Sequence, residues 1–222
     1  HGTLPSVIQP NPFYGSFISN YSPGDYYQYN FSGTSCCPTA ASDLFIGAAQ
    51  GFFVQMIDGP PVAEVDNNTV AFTNSLRNAS FSNSTFYRTQ NTTTTTLVDV
   101  NNIERNRIWL DFINSTNNQT DRILLGYIEN ATMGKDSFYD CSLQNTGGTI
   151  IYSLIDDAKF GIQGRALPFD VNDEVPIGIN APIQGNYTIA IVAVDGLFNN
   201  QNIYLKDNLL NITHNLKVSP YN

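Results

Sequence analysis

The sequence predicts an all-β protein made of two consecutive β-sandwich or jelly-roll-like units. Three observations carry this expectation. Apolar runs of strand length recur along the chain with turn residues between them, the pattern of a sandwich or jelly roll. No segment sustains the 3.6-residue apolar period of an amphipathic helix. Charged residues make up only 13% of the chain, about half of the usual quarter. Glu, Lys and Arg, which clothe long helices, are therefore scarce, and Asn, Thr and Ser must wet the surface.

The first unit is expected over residues 1–88. Pro5, Pro10, Pro12 and Pro23 punctuate a loop-rich opening that contains the aromatic group Tyr21, Tyr26, Tyr27 and Tyr29. Residues 50–56 read as a continuous apolar strand buried on both faces. Asp58-Gly59-Pro60-Pro61 is a turn, and Val70-Ala71-Phe72 is a second short strand. Residues 89–103 form a linker. The five consecutive threonines from Thr92 to Thr96 are β-branched and polar, with nothing to bury.

The second unit is expected over residues 104–222. Residues 107–113 and 122–128 alternate as two strands of a hairpin, with Asn117-Asn118 at its turn. Strands follow at 150–155, 160–167, 175–179, 186–194, 203–205 and 212–216. Both faces of 186–194 are apolar, which predicts a central strand.

With 222 residues, 41% of them hydrophobic and 12% aromatic, a packed core is expected. The formal net charge is -9. That balance argues against nucleic acid, which needs a basic patch to neutralise phosphate, and against anionic membrane surfaces. No apolar run approaches the 18 or so residues of a membrane span. The chain opens at His1 inside what reads as a loop, so a processed or excised fragment is expected.

Cysteine occurs at Cys36, Cys37 and Cys141. In an oxidising compartment Cys37, or Cys36 in its place, would bridge to Cys141 and close a loop of roughly 100 residues, nominally worth about 4–5 kcal/mol. The other reading is three free thiols. Three cysteines without a C-x-x-C spacing or a nearby His make a poor zinc site.

Nucleophilic catalysis finds little support. The histidines are His1 and His214, and no Gly-x-Ser-x-Gly elbow accompanies them. A glycosidase needs only two carboxylates, but no spacing among the nineteen selects a pair. The expectation is therefore a protein that is not an enzyme. The turn around Asp170, Asn172 and Asp173 gathers oxygen ligands of the kind calcium favours, with Asp195 and Asp207 as more remote candidates. Tyr26, Tyr27 and Tyr29 are the candidate ligand-binding platform, because exposed tyrosines stack on sugar rings; the competing reading is strand and core tyrosines. Asn-x-Ser/Thr sequons start at Asn20, Asn30, Asn67, Asn78, Asn83, Asn91, Asn114, Asn118, Asn130, Asn186 and Asn211.

Several segments occur here in a known order. They are Gln50-Gly51-Phe52-Phe53-Val54, residues 72–77, Arg107-Ile108-Trp109-Leu110, residues 162–169, Val175-Pro176-Ile177-Gly178 and residues 203–208. In this the chain resembles the β-rich region that precedes the C-terminal sorting domain in large surface proteins of flavobacteria and their relatives, exported by the type IX secretion system. The resemblance runs from about Asn11 to Tyr221, and its motifs are strands, turns and core aromatics. It implies a non-catalytic structural or adhesive module at the cell surface, such as a gliding or attachment adhesin or a surface-polymer subunit. It implies the secretion machinery and the rest of a larger surface protein as partners, and an extracellular location. In the family, further strands follow the final Tyr. The expectation is thus that the last strands lie outside residues 1–222 or come from another chain, with self-association by strand addition. It also implies that the sequons are mostly coincidental. The alternative is a carbohydrate-binding or calcium-binding β-sandwich joined to a secreted enzyme.

Overall fold

In the computed structural model, which describes residues 28–35, 54, 103–143 and 148–222, the apolar runs become strands. β1 (Tyr29–Asn30) and β2 (Gly33–Thr34) form a tight antiparallel pair. β3 (Arg105–Asn114) and β4 (Thr120–Ile128) form the long hairpin that the sequence predicts. Asn118 takes φ 57° in its turn, a left-handed conformation that Asn adopts at low cost. β5 (Cys141–Ser142), β6 (Ile150–Ile155), β7 (Ala158–Ala166), β8 (Ile177–Asn180) and β9 (Tyr187–Val194) follow. A 3₁₀ helix spans Gly196–Asn199, and β10 (Tyr204–Asp207) pairs with β11 (Ile212–Asn215) in a second hairpin.

β3 to β9 make one seven-stranded sheet in the order β8-β6-β7-β4-β3-β9, with β5 also pairing β7. All pairs are antiparallel except β4 with β7. A parallel pair needs a crossover between its members, and here the chain makes it through β5 and β6. The class is all-β, as expected.

Side chains alternate across a strand, and the long hairpin sends apolar groups to both faces. Ile108, Leu110 and Phe112 of β3 join Ile123, Leu125 and Tyr127 of β4 in one core cluster. Trp109 and Leu124 join Ile162 of β7 in another. The first face is covered by Phe169, Val175, Phe198, Leu205, Leu216 and Tyr221. Phe169 and Phe198 meet each other, and each meets Tyr127, with ring centroids 4.7–5.7 Å apart.

The second face receives residues 28–35. The Trp109 indole N–H donates to the Thr34 carbonyl at 2.9 Å. Arg105 Nε and Arg107 Nη1 donate to the Phe31 and Ser32 carbonyls. Ser32 Oγ donates to Tyr139 O at 2.6 Å, and Gln28 Nε2 to Ser142 O. Glycines permit this approach. A Cβ on Gly164 would stand 2.6 Å from Tyr139 Cβ and 2.8 Å from Ser32 Oγ. Gly33 has φ +133°, and a Cβ there would stand 2.7 Å from Arg107 Nη1.

Compact units comprise residues 1–4 with 43–92, and residues 5–42 with 93–222. Residues 28–35, expected in the first unit, are tied by the hydrogen bonds above to the sheet of 105–194. The expected strands at 50–56 and 70–72, and the threonine run, lie outside the described residues.

β9 is also not central. It pairs with β3 alone among the named strands and lies at the end of the sheet order. Its two faces are apolar because both faces of the sheet are covered, Ile189 and Ile191 on one side and Ala193 on the other. Among the described residues its outer edge is met by a backbone bridge, where Ile189 and Tyr221 exchange hydrogen bonds of 2.8 and 2.9 Å.

Gly33→Ala is expected to destabilise the fold by about 1–3 kcal/mol, because it strains both the backbone and the Arg107 contact. Trp109 is the chain's one tryptophan, so a urea titration followed by its emission reads this joint directly. An unchanged midpoint would mean that residues 28–35 contribute nothing to the stability of the sheet.

Candidate functional site

Burying a charge is costly unless it is paired or hydrogen-bonded. The described residues bury four charged side chains, Asp111, Asp121, Asp140 and Arg165. Chemistry, if any is built into this sheet, should be sought among them.

Arg165 sits near the end of β7 and meets Asp173, eight residues on, after the chain turns back at Asp170. Its Nε and Nη2 donate to Asp173 Oδ2 and Oδ1 at 2.7 and 2.6 Å, a two-pronged pair. The Tyr127 hydroxyl of β4 donates to the same Asp173 Oδ2 at 2.6 Å. Burial acts against both charges. The bonds from Arg165 and Tyr127 more than offset it, and hold the Asp173 carboxyl below its ordinary range. Burial also works against the Arg165 charge, and Asp173 outweighs it, so the guanidinium is held more firmly protonated. Burial first, and then Asp173, push the Tyr127 phenol up.

Asp121 and Asp140 behave differently. Desolvation pushes each carboxyl up to about 6. Asp121 Oδ2 accepts the Ile151 N–H at 2.9 Å, where β4 has no ladder to β7 and β6 approaches instead. Asp140 Oδ1 accepts the Gly164 N–H at 2.9 Å, and Oδ2 accepts that of Asp136. Raised carboxyls are the mark of general acids, but these two do not converge. The like charge acting on Asp121 is Asp111, and that acting on Asp140 is Asp136. Each serves as an acceptor for backbone that the sheet leaves unpaired. Asp111 forms a two-pronged pair with Arg122 across the hairpin.

The calcium candidates are all engaged. Asp170 Oδ1 accepts from Asn172 N and Nδ2, a local turn, and both Asp173 oxygens belong to the Arg165–Tyr127 group. Asp195 gives both oxygens to Arg107, at 2.6–2.8 Å. Asp207 caps Leu209 N and Leu210 N, and accepts from the Tyr221 hydroxyl at 2.6 Å. Among the described residues no group of three or more His, Cys, Asp or Glu is placed to hold a metal ion.

Of the tyrosine platform, Tyr26 and Tyr27 lie outside the described residues, while Tyr29 is 53% exposed. Cys36 and Cys37 also lie outside them. Cys141 is half-buried on β5, its thiol pushed up to about 11 by burial and by Asp140. It packs against the cluster of Trp109, whose indole holds Thr34, two residues before Cys36. His214 is on exposed β11, its Nε2 within 2.8 Å of the Ser219 carbonyl.

Sequence reasoning missed Asp121, Asp140 and the Arg165–Tyr127 group. Their partners stand 24 to 46 residues away for three of the bonds, and no local spacing marks them. The eight-residue step from Arg165 to Asp173 is the one signal within reach, as opposite charges flanking a Pro-containing turn.

A family model described as Domain of unknown function (DUF8693) matches residues 1–222. No curated protein and no solved structure matches the chain.

Asp173→Ala leaves the Arg165 guanidinium buried without its counter-ion, and a loss of about 3–5 kcal/mol in urea unfolding is expected. A loss under about 1 kcal/mol would place that pair in the class of surface ion pairs. Asp121 and Asp140 hold protons more tightly folded than unfolded. The stability they contribute is full below their ordinary value and lost as pH rises through about 6. The urea midpoint should therefore fall between about pH 4 and pH 6. Asp121→Asn, which keeps an oxygen for the Ile151 N–H, should remove part of that slope. A midpoint that rises across this window would contradict the assignment.

Proposed function

We propose that this chain, which belongs to the DUF8693 family, is a non-catalytic structural or adhesive module of an extracellular surface protein. The observation that carries the reading is how the buried charges are used. Asp121 and Asp140 take backbone N–H groups, while Arg165 and Asp111 take an opposite charge. Catalytic groups instead converge on a space where a reacting atom can sit.

The low share of charge and the wealth of Asn, Ser and Thr support an extracellular setting. Export by the type IX system, and a place beside the sorting region of a larger surface protein, rest on the motif resemblance alone.

Lys135 and Lys206 are exposed. On intact cells that make the natural protein, a membrane-impermeant amine reagent is expected to label both. Labelling only after lysis would overturn the surface reading. Deleting residues 1–222 from the parent protein should reduce cell attachment and leave the hydrolytic activities of the medium unchanged. Lost hydrolysis with attachment intact would instead favour an enzyme.

A further inference from the structure

The eleven sequons are too many for the composition. The chain has 27 Asn and 35 Ser or Thr among 222 residues, which by chance would make about four sequons. The structure then sorts the six that fall in described residues into two kinds.

Asn118, Asn130, Asn186 and Asn211 are exposed. Asn118, Asn130 and Asn211 occupy turns with φ of 57°, 70° and 53°, the left-handed conformation that Asn adopts at low cost. The side-chain amides of all four make no hydrogen bond among the described residues, and each is followed at the second position by Thr. The other two are built into the fold. Asn114 is fully buried, its Nδ2 donating to the Tyr187 hydroxyl at 3.1 Å and its Oδ1 accepting the Thr116 N–H. Asn30 has its Nδ2 buried and its Oδ1 on the Ser32 N–H.

A second observation points the same way. The turn that carries Asn211 shows bare apolar side chains, with Leu209 91%, Leu210 61% and Ile212 45% exposed. Few charges are available to keep such a surface soluble, and a glycan beside it would cover it.

We propose that the chain carries N-linked glycans at Asn118, Asn130, Asn186 and Asn211, and none at Asn30 and Asn114. The donor is an oligosaccharide on a lipid phosphate or diphosphate. The Asn Nδ2 forms a bond to the sugar C1 as the C1–O bond to phosphate breaks. The lipid phosphate leaves with the bonding pair, and one amide proton passes to a base of the transferase; nothing is oxidised or reduced. A glycan on Asn30 or Asn114 would block the buried position, so a chain modified there would not reach this fold.

The inference rests on the extracellular reading, since the transfer takes place on the far side of a membrane, and it runs against the coincidental sequons that a bacterial type IX route implies. The test uses the natural protein, recovered separately from the cytosol and from the medium or cell surface. Each pool is treated with peptide N-glycosidase in heavy-oxygen water, which leaves a labelled Asp wherever a glycan was. Peptide masses without enzyme detect glycans that it cannot release. Modification at the four exposed positions, with Asn30 and Asn114 unmodified, is the expected result. Surface protein unmodified at all four would sink the glycan proposal and leave the extracellular reading standing. Protein found only in the cytosol would sink both. Modification at Asn30 or Asn114 in folded protein would overturn the sorting by exposure. Thr213→Ala should remove modification from Asn211 alone, and the resulting protein should self-associate at lower concentration than the parent.

Discussion

The β3–β4 hairpin buries side chains on both of its faces, Trp109 and Leu124 on one and Phe112 and Ile123 on the other, each at most 1% exposed. A strand pair of this kind cannot stand at the surface of a protein. It needs two independent covers, and the two it has differ in kind. The cover on the Phe112 face is apolar and comes from the part of the chain after β7. The cover on the Trp109 face comes from residues 28–35, and it is held by side chains that reach backbone carbonyls. Arg107 serves both the cover and the sheet. It donates to Ser32 O, pairs with Asp195, and lies over the Trp109 ring at 4.9 Å.

A sheet covered twice also buries the places where its ladders stop. β4 meets β7 only from Leu124 onward, and β6 meets β7 only from Ser153 to Ile155. Backbone N–H groups orphaned at such places must find an acceptor. Ile151 finds Asp121, and Gly164 finds Asp140. The raised carboxyls are therefore a consequence of topology. A parallel pair set into an otherwise antiparallel sheet creates the gaps, and a short acidic side chain is the acceptor that fits them. Read in isolation, two carboxyls near 6 suggest an acid–base pair; here each accepts a backbone N–H, from Ile151 and from Gly164.

Much of the second unit was legible in the sequence because its strands are local patterns. The hairpin of 107–128, with its Asn turn, needed only alternation and a turn residue. β6 was placed residue for residue, and β4, β7 and β8 to within about two residues, while the two-residue β5 was not foreseen. What could not be read was pairing between distant segments. The apolar pattern of β9 has the same appearance whether strands flank it on two sides or covers lie on its two faces. The attachment of residues 28–35 rests on a Trp–carbonyl bond across 75 residues and on glycines whose value lies in the missing Cβ. The oxygen-rich turn at Asp170–Asp173 illustrates the same limit. Composition makes it a candidate cation site, and only the structure puts Arg165 beside Asp173.

The attachment of residues 28–35 also sets an order of events during synthesis. That segment leaves the ribosome before any of the sheet it will cover exists. At about 5–20 residues per second, Trp109 follows Thr34 by several seconds. For that interval the sheet face on which the segment will lie does not exist, and once formed that face stays uncovered until the segment reaches it. The joint between residues 28–35 and the Trp109 face is therefore made late, after the sheet of 105–194 has been synthesised.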